Sequence, residues 1–204
     1  MTDETWLAFA LFALVTSITP GPNNTMMLAS GVNFGFARSV PHMLGITLGF
    51  CLMIVLMGLG LGQVFERHPL LYAVMRYAGG AYMLVLAWKI FRSRPISADV
   101  ARSGANQSRP LSFTAAAAFQ WVNPKAWVIA LGAITTHLPA EHSLFQLLAL
   151  VTVMGLINMP STGSWALFGA GMRRHLQEPN FFRIFNTLAA LALVASLYPL
   201  LTHR

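Results

Sequence analysis

The sequence predicts an all-α integral membrane protein with six transmembrane helices, arranged as two inverted three-helix repeats in which helices 1 and 4 are broken. Three observations predict it. Only 9% of the 204 residues are charged, against 56% hydrophobic, whereas a soluble domain carries roughly 25% charged residues. So few charges cannot solvate the surface of a water-soluble fold of this size. Six apolar runs reach the roughly 20 residues needed to cross a bilayer. The first and the fourth of these runs are interrupted at corresponding places by proline and asparagine.

Span one is expected over 6–30. It follows an acidic start, Met1-Thr2-Asp3-Glu4-Thr5, without the positive region or small-residue cleavage site of a secretory signal. The run is therefore expected to remain as a span. Thr19-Pro20-Gly21-Pro22-Asn23-Asn24 interrupts it. Proline removes a backbone donor and clashes with the carbonyl four residues back, so Pro20, Gly21 and Pro22 should end one half-helix and start another. Spans two (41–64) and three (69–91) contain Gly45-Ile46-Thr47-Leu48-Gly49, Gly58, Gly60, Gly62 and Gly79-Gly80, and more small residues run from Gly163 through Gly171, along and just past span five. All of these read as small surfaces for close helix packing. Residues 92–111, polar and rich in Ser, Pro and Gly, read as a flexible linker between a first repeat (1–91) and a second (112–204) of one transporter domain. Span four (112–137) is interrupted by Gln120-Trp121-Val122-Asn123-Pro124-Lys125. There Asn123 suits a helix N-cap and Pro124 the first helical position. Spans five (143–170) and six (181–201) carry Asn158 and Asn186, read as interhelical hydrogen-bonding partners. Trp6, Tyr72, Trp88 and Tyr198 lie near span ends, where aromatic girdles form.

Basic residues orient the spans. The odd-numbered loops hold nine of the thirteen: Arg38, Lys89, Arg92, Arg94, Arg102, Arg109, Arg173, Arg174 and Arg183. The opposite side holds Arg67 and Arg204, while Arg76 and Lys125 fall inside spans. By the positive-inside rule the odd loops are cytoplasmic and both termini lie outside. The net charge of +7 is thus a topology signal rather than a nucleic-acid footprint, and nucleic acid is excluded as a partner. The bilayer is the expected partner, and a homo-oligomer is left open.

The two breaks carry the candidate chemistry. Span one runs inward and span four outward, which matches the inverted repeats of secondary transporters. A half-helix that starts in mid-membrane directs free N–H groups and a positive dipole end at an anion. The half-helix before it ends in unpaired carbonyls, near Ile18 and near Val122, suited to a cation. Asn23, Asn24, Gln120 and Asn123 can donate and accept in the same region, so a small zwitterionic amino acid would satisfy both ends. Lys125, costly near the bilayer centre at roughly 2.5–3.5 kcal/mol, needs a carboxylate, backbone carbonyls or water. Pro20, Gly21, Pro22, Asn23, Asn24, Gln120, Asn123, Pro124 and Lys125 form the candidate substrate site, with Arg76 and His42 as candidate pathway residues. Asp3, Glu4, Glu66, Asp99, Glu141 and Glu178 are all terminal or in loops, so no intramembrane carboxylate is expected as a proton or sodium ligand. The single cysteine, Cys51, excludes an internal disulfide or CxxC relay. The scattered histidines do not indicate a metal, no cofactor is expected, and no nucleophile–base pair suggests an enzyme.

The motifs TPGPNN (19–24), AGGAYMLVLAWKIFRS (78–93) and WVNPKAW (121–127) resemble the signature regions of the LysE/RhtB family of amino-acid exporters, in order and over essentially the whole chain. Residues 119–127 are also similar to the branch that includes the cysteine/O-acetylserine exporter. The resemblance implies a bacterial inner-membrane protein that exports amino acids or close derivatives, driven by the proton gradient. It implies that the helix-break residues are Pro20, Gly21, Pro22, Asn23, Asn123, Pro124 and Lys125. Family exporters take lysine, homoserine, threonine or leucine, so the substrate stays open. The competing readings are an exporter of another small polar metabolite or drug, and a membrane assembly subunit without transport.

Overall fold

A computed structural model describes residues 2–61, 69–92, 109–139, 141–172 and 179–195. Much of the 92–111 linker lies outside the described residues, as do Gly62, Glu66, Arg67, Arg94, Asp99, Arg102, Arg173, Arg174, Glu178, Tyr198 and Arg204. The side chains of Tyr72 and Arg76 also lie outside them. The described secondary structure is all helical: α1 (Asp3–Ile18), α2 (Pro22–Phe34), α3 (Phe36–Leu56, continued by a π-turn Met57–Leu61), α4 (Pro69–Phe91), α5 (Phe113–Phe119), a 3₁₀ turn (Gln120–Val122), α6 (Pro124–His137), α7 (Leu144–Met172) and α8 (Pro179–Ala195). Among the described residues, α3 with its π-turn and α7 are long and apolar enough to cross a membrane, and α1 with α2 make a third span if the bent pair counts as one.

The surface of these helices is inside-out for water. Leu7, Leu11, Val15, Leu48, Leu52, Phe145, Leu156, Phe168, Ile184 and Leu188 are exposed, whereas Ser17, Asn24, Thr47, Gln120, Asn123, Asn158 and Thr162 are buried. A soluble domain does not expose such apolar area helix after helix. Lipid can face it, and the polar groups turn inward to find each other.

The first break forms where proline and glycine predict it. Thr19 and Pro20 leave the helix, Gly21 caps α2, Pro22 takes its first turn, and α1 and α2 bend by 54°. The second break follows the same logic: Asn123 caps α6 through its own side chain, with Pro124 in the first turn. A single proline does less. Pro41 and Pro160 sit inside α3 and α7, which continue through them. Around Pro160, Ser161 and Thr162 return their hydroxyls to the Ile157 and Asn158 carbonyls at 2.8 Å.

Two expectations need correction. The loop expected between spans one and two is helical, because Gly35 (φ 81°) is the one non-helical residue between α2 and α3. Arg38 therefore lies in the first turn of α3. Close packing also fails to explain every glycine. A Cβ at Gly45 would strike the Phe113 carbonyl and one at Gly163 would meet Met43 Sδ at 3.2 Å, as packing predicts, but Gly60 (φ 105°) and Gly171 have open space around them. Gly60 is there for a left-handed backbone at the π-turn.

The core has two principal clusters. Phe9, Phe50, Met53, Leu150, Met154 and Trp127 form one, from α1, α3, α6 and α7. Met26, Met83, Leu86, Phe119 and Leu193 form the other, from α2, α4, α5 and α8. Span one leaves the first cluster at α1 and enters the second at α2. Span four passes from the second at Phe119 to the first at Trp127. Each break lies between the clusters. Contacts are reciprocal as well: α1 and α2 pack on α7, α5 and α6 pack on α3, and α4 pairs with α8.

Candidate functional site

Most of the residues singled out in the two interrupted spans, though far apart in sequence, meet in the structure. Asn23 Nδ2 donates to Gln120 Oε1 at 2.9 Å, and Gln120 Nε2 returns a bond to Asn23 Oδ1 at 3.2 Å. The Gln120 amide is held in turn by the Ala116 carbonyl at 2.9 Å. Half-buried Lys125 extends its ammonium from α6 to the Thr19 carbonyl at 2.6 Å and the Pro20 carbonyl at 3.4 Å. The two broken spans are thus tied by a reciprocal amide pair and by a lysine.

The expectation of unpaired carbonyls at the end of α1 is overturned. Asn24 Nδ2 donates to Ser17 O (2.7 Å) and Thr19 O (2.9 Å), and Trp165 Nε1 donates to Ile18 O (3.2 Å). With Lys125 they close the carbonyls from Ser17 to Pro20. An unpaired carbonyl in apolar surroundings costs several kcal/mol on the order of its desolvation, so donors from three spans converge on it. At the second break the Gln120 carbonyl accepts from Asn123 N (3.3 Å) and the Trp121 carbonyl from Trp127 Nε1 (2.9 Å). The amide ends differ. Asn123 Oδ1 takes the Lys125 N–H at 3.1 Å, whereas no side chain caps α2.

Between the breaks lies a cleft lined by Gly21, Asn23, Asn24, Asn123 and Lys125 from the expected set. Its interior of about 30 Å³ has room for about two waters. Pro20, Pro22, Gln120 and Pro124 shape or tie its walls without lining it. Thr16, Ser17, Phe50, Ala126, Ile129, Asn158 and Thr162 also line it and were not in the expected set. Asn158 has the predicted interhelical role too: it accepts from Thr47 Oγ1 at 3.1 Å and donates to Ser17 Oγ at 3.2 Å, joining α3, α7 and α1. A polar pair at i and i+4 in an apolar run, Asn158 and Thr162, was the available signal.

His42 does not line the cleft. It is 2% exposed within α3, and neither ring nitrogen has a hydrogen-bond partner. Arg76 belongs to α4, with its side chain outside the described residues. Among the described residues no group of three His, Cys, Asp or Glu side chains could hold a metal ion.

The matches to known proteins span both breaks. The family described as LysE type translocator matches residues 14–197. The cysteine/O-acetylserine efflux protein of Escherichia coli strain K12 is 33% identical over 196 residues, covering 95% of this chain and 96% of the relative. The protein of the same description from Shigella sonnei strain Ss046 matches to the same extent. No solved structure matches the chain.

Proposed function

This chain belongs to the LysE family of translocators, and we propose that it exports amino acids or close derivatives across the bacterial inner membrane as a secondary transporter. The proposed site is the junction of the two broken spans, at Pro20, Gly21, Pro22, Asn23, Asn24, Gln120, Asn123, Pro124 and Lys125. One observation carries it: Asn23 with Gln120, and Lys125 with Thr19 and Pro20, bring the two helix breaks to one polar cleft. The uncapped amide end of α2 suits a carboxylate, and the carbonyls ending α1 suit an ammonium. A cleft with room for about two waters must widen to admit an amino acid, which favours alternating access over an open pore.

The proposed architecture is six spans in two inverted repeats with both termini outside. Its support is the opposite course of spans one and four between the two core clusters, and the reciprocal packing of each broken span on the second span of the other repeat. The proton gradient is the proposed driving force. Among the described residues, the helices carry carboxylates only at Asp3 and Glu4. The proton-carrying step therefore falls to Lys125, a histidine, bound water or the substrate.

Energised uptake of labelled amino acids into everted membrane vesicles tests the function, with cysteine and O-acetylserine heading the panel because the relatives are efflux proteins of that description. Uptake that collapses with a protonophore is expected. No uptake of any amino acid would defeat the proposal. Asn23→Ala is expected to reach the membrane and lose transport.

A further inference from the structure

Lys125 sits at the unfavourable end of its own helix. It follows Pro124 in the first turn of α6, where the dipole is positive and disfavours a cation. Its ammonium reaches instead to the Thr19 and Pro20 carbonyls, just past the end of α1, where the dipole is negative. The stem crosses Gly21 so closely that a Cβ there would stand 2.7 Å from Lys125 Cδ and 3.2 Å from Nζ. Gly21 also caps α2, which no side chain caps. Ser17, Gly21 and Lys125, from the carbonyl end of one half-helix, the amide end of the next and the start of a third, line one cleft, and the Thr19 and Pro20 carbonyls lie beside it within reach of the Lys125 ammonium.

We infer that the Lys125 ammonium is a tethered stand-in for the α-ammonium of the transported solute. In the closed cleft it fills the carbonyl pair. An arriving amino acid sets its own ammonium there, and the displaced Lys125 pairs with the solute's carboxylate, which faces the amide end of α2. The exchange swaps one N–H donor set for another and makes no covalent bond. It fixes the substrate class: the solute carries both a primary ammonium and a carboxylate. A 2-hydroxy acid offers the carbonyls one neutral O–H in place of a charged ammonium, and an amino-acid amide offers the displaced lysine a neutral acceptor in place of a carboxylate, so each binds more weakly. The inference rests on the proposed export function for its substrate, but the exchange at the carbonyls is measurable without transport.

Thermal unfolding of the purified full-length protein in detergent provides that measurement, with methylammonium and tetramethylammonium chloride as probes. Lys125→Ala removes the ammonium from both carbonyls, leaving the Thr19 carbonyl with Asn24 alone. Its Tm is expected to rise with methylammonium and not with tetramethylammonium, which has no N–H to donate; the wild type responds to neither. Gly21→Ala keeps the lysine but pushes its stem aside, and the same selective response is expected, so either variant serves if the other fails to fold. Equal responses of variant and wild type overturn the inference. In vesicles, the 2-hydroxy acid, N-acetyl and amide analogues of a transported amino acid are expected to compete about tenfold more weakly or worse, a loss of roughly one decade in affinity. Competition by the 2-hydroxy acid equal to the parent also overturns it. A selective methylammonium response in a protein that moves no amino acid would sink the export function and leave the tether standing. Amino-acid uptake without that response would do the reverse.

Discussion

Asn24 shows how much one side chain can do at a helix break. It is 3% exposed, and its amide bridges two carbonyls at the end of the preceding half-helix. Asn24→Ala takes this donor from the buried Ser17 carbonyl and leaves the Thr19 carbonyl with Lys125 alone, and is expected to cost about 1–3 kcal/mol, read as a lower Tm in detergent. Asn24→Asp should be worse, because its oxygens face oxygens; an Asp variant as stable as the wild type would dismiss the bridge. His42 gives the opposite expectation. Both ring nitrogens are buried without partners, so His42→Leu removes an unsatisfied group and should leave Tm unchanged or raise it. If transport survives that change, His42 plays no part in the pathway. The candidate residues were legible in the sequence because proline, asparagine and lysine have few structural uses inside an apolar run. Their partners were not: Trp165 closes a carbonyl 147 residues away, and no local pattern reports such a pairing.

At the level of elements, the local chemistry of each break predicts its outcome. Pro20-Gly21-Pro22 ends a helix, whereas lone Pro41 and Pro160 leave theirs continuous. Asn123-Pro124 starts a helix as its capping preference requires. Glycines separate by cause. Gly45 lets α3 approach the backbone of α5, so Gly45→Leu is expected to disrupt the contact by several kcal/mol, on the order of other overpacked cores, and to reduce the folded protein recovered in detergent. Gly60→Ala has space for its methyl but a φ of 105°, and a cost of about 1–2 kcal/mol is expected from backbone strain. Gly171→Ala, with open space in a regular helix, should be no less stable than the wild type. Thermal unfolding of the three variants checks that ranking. The one-residue α2–α3 turn was missed because two glycines, Asn33, Arg38 and Ser39 interrupt the apolar pattern between 31 and 40, and nothing local shows that both flanks of Gly35 stay helical.

For the whole molecule, the proposed orientation makes a direct prediction: alkaline phosphatase fused after Arg204 should be active, and a fluorescent protein fused there should be dark. The opposite pair of results would invert the topology. The lipid-facing character of the chain was determined by the sequence alone, since scarce charge and long apolar runs set the solvent without reference to any fold. The positions of the two breaks were determined the same way, because proline and glycine act on the backbone beside them. What became of the breaks was decided only by tertiary structure. Hydrogen bonding in a low-dielectric interior is a matching problem across the whole chain. Its solution turned the expected open carbonyls of α1 into acceptors for Asn24, Trp165 and Lys125, and left the amide end of α2 without a side-chain cap.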